Sequence, residues 1–137
     1  LVRQGFQVWV LGSAKDKPAG DEIATLAGEG AFNLCGRTEL ADAVDLLATA
    51  RAAVTNDSGL MHVAAALGTP LVALYGSSTP HHTPPLSDAA QVIYLGLECS
   101  PCFKRTCPLG HTRCLTGIGV ERVAEALAPA LHATVPR

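Results

Sequence analysis

The stretch Asn56-Asp57-Ser58-Gly59, with His62 three residues further on, holds the densest set of groups suited to gripping a ligand. It opens a helix predicted over Ser58 to Leu67, where Leu60, Met61, Val63, Ala64, Ala65, Ala66 and Leu67 are apolar nearly all round and predict burial. The first turn of a helix carries unpaired amides that favour a phosphate or other anion, by about 0.3–1 kcal/mol when exposed and more when buried. Gly59 lets a ligand come close to the backbone. Helical side chains lean towards the N-terminus, so His62, the one ionisable residue of this helix, can face the same anion as Ser58 and Gly59. A carboxylate beside a diphosphate is repelled, which assigns Asp57 to donors such as sugar hydroxyls or amides. The structural alternative has Asp57 or Ser58 capping the helix and His62 hydrogen-bonded in the core. The combination of acid, Ser, Gly and His favours a ligand site.

A second cluster is Cys99-x2-Cys102-x4-Cys107-x6-Cys114, four thiols within 16 residues, with His111 between the last two. Tetrahedral zinc takes four sulfur or nitrogen ligands, and Pro101, Pro108 and Gly110 supply turns between them. Cys99, Cys102, Cys107 and Cys114 read as a structural zinc site or a redox-labile cluster, in either case pinning a long loop. Reduced, buried cysteines are the alternative, and disulfides are the less expected state in a cytosolic protein. Cys35 stands apart and reads as a core residue. Lys104, Arg105 and Arg113 read as a solvated basic patch, or else as attraction to an anionic lipid surface. His81-His82 has no partner at metal-binding spacing and reads as loop surface.

These groups need a scaffold. The chain has 137 residues, 48% of them hydrophobic and 16% charged, which excludes disorder and suits one domain with a real core. A net charge of −2 argues against a nucleic-acid binder. No apolar run is long enough to span a bilayer. Leu1 to Gly5 reads as the end of a helix with a glycine stop, so the chain is expected to be a fragment lacking its N-terminal part.

Apolar runs at Gln7–Leu11, Phe32–Leu34, Ala52–Thr55, Leu71–Tyr75 and Gln91–Leu95 read as strands. Helices are predicted over Ala19–Ala27, Glu39–Ala50 (capped by Thr38), Ser58–Leu67 and Val120–His132, the last interrupted at Pro129. The run Leu71–Tyr75 has no polar face and should be buried on both sides. Alternation of this kind predicts an α/β fold, a Rossmann-like parallel sheet with flanking helices. Ligands then bind beyond the carboxyl ends of the strands, which puts Gly12–Asp16, Asn56–Gly59 and Gly76–Thr79 on one rim. Residues 96–118 form a cysteine-rich insertion in the single domain 1–137.

The segment from Thr55 to Gly76, TNDSGLMHVAAALGTPLVALYG, resembles the ADP-heptose:lipopolysaccharide heptosyltransferases of glycosyltransferase family 9, as do Leu11–Asp16 and Thr83-Pro84-Pro85-Leu86-Ser87. The resemblance runs over nearly the whole chain. It implies the C-terminal half of a two-domain GT-B enzyme, with residues 1–137 as its N-terminally truncated donor-binding domain. It also implies that Asp57, Ser58, Gly59 and His62 contact the diphosphate and sugar of ADP-heptose, and that Gly12, Ser13, Lys15 and Asp16 lie by the adenosine.

The implied reaction is inverting transfer of heptose to the lipopolysaccharide inner core at the cytoplasmic face of the inner membrane, with peripheral membrane contact. The family's catalytic Asp and a phosphate-binding Lys lie upstream of Leu1, so the fragment alone is expected to be inactive. His62 is then a stabiliser of the leaving ADP. No cofactor is expected for transfer: the sequence has no Asp-x-Asp to clamp a divalent metal. Relatives without the cysteine cluster give it no part in the transfer. Two rivals are a GT-B transferase using another nucleotide-sugar donor and a non-catalytic, zinc-bearing Rossmann-like module.

Overall fold

Each short apolar run becomes a strand followed by a helix or a long connection, and every strand pairing is parallel. The computed structural model describes residues 1–133. The chain divides into two units, Leu1–Asp45 and a second beginning at Leu46, with helix α2 (Leu40–Thr49) running through the junction.

In the first unit a 3-10 turn at Val2–Gln4 ends on Gly5, whose φ of 86° is the left-handed geometry that a glycine stop supplies. Strand β1 (Val8–Val10) pairs with β2 (Ala31–Asn33), Trp9 opposite Phe32. Between them lie a 3-10 turn at Ala14–Asp16 and helix α1 (Lys17–Ala27). This helix starts two residues before the predicted Ala19 because Pro18 fits the first turn, where its missing N–H leaves no bond unmade.

Asn33 locks α1 to β2. Its Nδ2 donates to the Lys17 carbonyl at 3.0 Å and to the Asp21 carboxylate at 2.7 Å, and its Oδ1 accepts the Cys35 N–H at 3.0 Å. Lys17 and Asn33 donating to Asp21 hold its carboxyl below the usual range. Gly20 is buried because the Asn33 amide occupies the space of a Cβ. Gly20→Ala gains about 1 kcal/mol of helix propensity but overpacks a side chain tied by three bonds. A net loss of about 1–2 kcal/mol is expected, read as a lower urea midpoint.

The second unit is a three-stranded sheet in the order β3 (Ala53–Asn56), β4 (Leu71–Tyr75), β5 (Ala90–Tyr94). Central β4 buries Leu71, Val72, Ala73 and Tyr75, as its lack of a polar face predicts. Helices α3 (Gly59–Ala66), α4 (Arg113–Thr116) and α5 (Val120–His132) belong to this unit. Val72, Ile93 and Leu127 form a core that Leu74, Ile118, Val123 and Leu131 surround. The buried Thr69 hydroxyl donates to the Leu47 carbonyl at 2.8 Å, tying the end of α2 to the entry of β4.

Four expectations change. The strands form two parallel sheets rather than a single one: the partners of β1 are all on β2 and those of β3 all on β4. Loop Gly12–Asp16 therefore belongs to one sheet, while Asn56–Gly59 and Gly76–Thr79 share the carboxyl edge of the other. Strand β3 runs one residue past the predicted end at Thr55, because the Asn56 backbone continues the ladder opposite Leu74. Helix α3 is buried on one face only, at Met61, Ala64 and Ala65, while His62, Ala66 and Leu67 are exposed. Finally, Pro129 does not interrupt α5. It sits near the end, where one lost donor is tolerated, and the Ala133 N–H still bonds the Pro129 carbonyl at 3.1 Å. Arg51 also donates to the carbonyls of Leu131 and Ala133, closing that helix end.

Candidate functional site

Strand β3 ends at Asn56, Asp57 and Ser58 make the turn, and α3 begins at Gly59, at the edge of a parallel sheet where ligands bind. Ser58 is the residue before the first helical turn, with φ −154° and ψ 168°, but its side chain makes no capping bond. Its Oγ lies 3.4 Å from the Thr55 hydroxyl instead. The Ser58 carbonyl accepts the Met61 N–H at 3.1 Å, and the Ser58 side chain caps none of the first-turn amides. A Cβ placed on Gly59 would meet no atom within 4 Å, so the space over this turn is open. His62 is exposed and makes no hydrogen bond to a described residue, which removes the reading of it as a bonded core histidine.

Asp57 is held from the far side. The Thr83 hydroxyl stands 3.1 and 3.0 Å from its two oxygens, and one proton shared between them leaves most of the carboxylate's acceptor capacity unused. Thr83 is itself positioned by fully buried Tyr75, whose hydroxyl donates to the Thr83 carbonyl and lies 3.3 Å from the Met61 sulfur. Burial, and then the Asp57 carboxylate, push the Tyr75 phenol up. Thr83 and Tyr75 were not among the candidates from residue type and spacing. The available signal was a tyrosine in a strand with no polar face, whose hydroxyl must find a partner.

The loop after β1 spends much of its polarity on itself. Asp16 Oδ2 accepts the Ser13 N–H at 2.8 Å and its hydroxyl at 2.7 Å, and these bonds hold the Asp16 carboxyl below the usual range. Gly12 is hemmed in by Asp16 and Cys35, and Lys15 is left exposed. Cys35 is buried, as expected, and burial raises its thiol.

The cysteine segment lies against the loop after β4. The Ser100 hydroxyl donates to the Gly76 carbonyl, and the Phe103 N–H donates to the Ser77 carbonyl at 2.7 Å. Gly76 permits this approach: a Cβ there would stand 2.6 Å from Leu115 Cγ and 3.2 Å from Cys114 Sγ. His82 gains a partner in the ring of Phe103, 5.5 Å between centroids, which the loop-surface reading did not foresee. Cys99, Cys102, Cys107 and Cys114 line one cavity of about 100 Å³ with Lys104 and His111, and all four are free thiols. Among the described residues no three His, Cys, Asp or Glu side chains converge closely enough to hold one ion, so these thiols stand around the wall. Backbone N–H groups of Thr112, Leu109, His111 and Gly110 turn to Cys107 and hold its thiol below the usual range.

Parallel strands joined through helices, with a helix start and a carboxylate at the sheet edge, define a Rossmann-like α/β unit. Residues 1–113 match glycosyltransferase family 9 (heptosyltransferase), and the chain belongs to that family. It is 50% identical over 131 residues to lipopolysaccharide heptosyltransferase 2 of Salmonella typhimurium, a match covering 93% of this chain and 38% of that protein. Over 99 residues it is 54% identical to lipooligosaccharide heptosyltransferase 2 of Haemophilus influenzae, 69% of this chain and 29% of that one.

Among solved structures, E. coli ADP-heptose LPS heptosyltransferase II superposes with a TM-score of 0.80 at 47% identity, over 95% of this chain and 38% of the other. A family 9 glycosyltransferase from Veillonella parvula superposes with a TM-score of 0.78 at 26% identity, over 94% and 37%. The chain thus spans well under half the length of these relatives.

Proposed function

We propose that this chain is the donor-binding part of an inverting transferase that moves heptose from ADP-heptose to the lipopolysaccharide inner core, as heptosyltransferase II does. The observation that carries the reading is the open start of α3, where Ser58 caps without using its side chain, Gly59 leaves the approach clear and His62 stands exposed with no hydrogen bond to a described residue. Family membership and the names of the relatives support the donor and the acceptor.

In this reading the first-turn amides and His62 face the diphosphate and stabilise charge on the departing ADP. Asp57, steadied by Thr83, accepts from hydroxyls of the sugar. The acceptor and the catalytic base meet the donor through the remainder of the enzyme, and the transfer itself needs no metal. No helix among the described residues is long and apolar enough to cross a membrane. The enzyme works on the cytoplasmic side of the inner membrane, where exposed Lys104, Arg105 and Arg113 favour peripheral contact with anionic headgroups.

Calorimetric titration of the full-length enzyme with ADP and with UDP tests the donor. Saturable ADP binding at least tenfold tighter than UDP is expected, a gap of about 1.4 kcal/mol. Equal or tighter UDP binding would assign a different nucleotide-sugar donor, and no binding of either would remove the transferase reading.

A further inference from the structure

The segment from Gly96 to Gly119 is held by very little apolar burial. None of its residues is buried, its only regular structure is the four-residue helix α4, and Phe103, Leu109 and Leu115 are exposed. A connection this long without a core of its own is uncommon in a compact domain, since ordering each residue costs conformational entropy that burial must offset. Its ordered features instead surround one cavity walled by four free thiols.

We propose that Cys99, Cys102, Cys107 and Cys114 form a zinc site that fastens this segment onto the loop after β4. The donor set suits a soft, tetrahedral divalent ion, and two thiols of a Cys-x-x-Cys pair line one cavity with Cys107 of the following loop and Cys114 of α4. Cys107-Pro108-Leu109-Gly110 is a tight turn, closed by the Gly110 N–H on the Cys107 carbonyl at 3.1 Å, that holds Cys107 on the cavity wall. Four thiolates around a divalent ion carry net negative charge, and Lys104 and Arg105 on the same wall offset it.

His111 stays outside the ligand set. Its Nδ1 accepts the Arg113 N–H at 3.0 Å, which in the neutral ring puts the proton on Nε2 and leaves no lone pair for metal. The thiols stand around the wall rather than at a common point, so binding zinc requires them to draw together. Cys114 Sγ adjoins Gly76, and Ser100 and Phe103 bond to Gly76 and Ser77, so closing the site also fixes the edge of the sheet that carries Asp57.

The test is metal analysis of the purified chain and of the full-length protein, coupled to thiol mapping by mass spectrometry. Expected is about one equivalent of zinc, with the four segment cysteines shielded from iodoacetamide until a chelator is added. Chelation should then raise amide exchange across residues 96–119 while β3, β4 and β5 stay protected. Cys107→Ser should lose the metal and Cys35→Ser, in the other unit, should keep it. The thiol map of the unaltered chain decides the matter if the first variant misfolds. Free, reactive thiols with no zinc taken up on addition, disulfides among the four, or zinc retained in Cys107→Ser would each overturn the site. None of these readouts depends on nucleotide binding, so failure here is distinguishable from failure of the donor reading.

Discussion

Replacing Asp57 by alanine in the full-length enzyme is expected to weaken ADP-heptose binding at least tenfold, about 1.4 kcal/mol, with little change in stability. The carboxylate shares the single Thr83 proton between its two oxygens, at 3.1 and 3.0 Å, so it is oriented but not saturated. A hydrogen bond from a ligand hydroxyl to a charged acceptor contributes about 1.5–3 kcal/mol, more than the tenfold threshold requires. His62→Ala should reach the same threshold by a different route, the loss of the donor proposed to face the diphosphate. The side chain of His62 has no bond to a described residue to lose, so the folded state should shift by no more than about 0.5 kcal/mol. Thr83→Val removes only the group that steadies Asp57, and its effect should fall between wild type and Asp57→Ala. Calorimetry on each variant, with a melting curve alongside, checks all three, and wild-type affinity in both Asp57→Ala and His62→Ala would remove this site.

Met61→Ala should do the reverse. Met61 immediately precedes His62 on the same short helix, yet it is fully buried, with its sulfur 3.3 Å from the Tyr75 hydroxyl. Truncation opens a cavity beside a fully buried tyrosine, and a loss of about 2–5 kcal/mol is expected. Chemical denaturation gives the value directly, as a lower midpoint at unchanged slope. A loss under about 0.5 kcal/mol would mean that α3 does not pack on β4 through this face. The pair of variants separates the roles of the two faces: the inward residue sets stability, the outward one is free to serve a ligand.

The sequence by itself determined the elements and their type. Val8–Val10 and Leu71–Tyr75 are strands because short apolar runs between turn residues leave few other ways to bury them. Gly5 and Gly68, at φ 86° and 71°, mark stops that other side chains resist. The turn Asp57-Ser58-Gly59 at the start of α3 and the spacing of the four cysteines were equally legible, because both are local in the chain. Periodicity said less about α3, since a helix made of alanines and aliphatics is compatible with burial on any side. The packing of Met61 and Ala65 decided that His62 faces outward.

Contacts between distant residues were decided only by the tertiary structure. Thr83 reaches Asp57 across 26 positions because buried Tyr75 anchors the loop that carries it. The cysteine segment lies on Gly76 because that residue has no side chain to keep Leu115 and Cys114 away. Residue type states what a group can bond to. Where a loop returns depends on packing summed over the whole sheet, and no local stretch of sequence contains that sum.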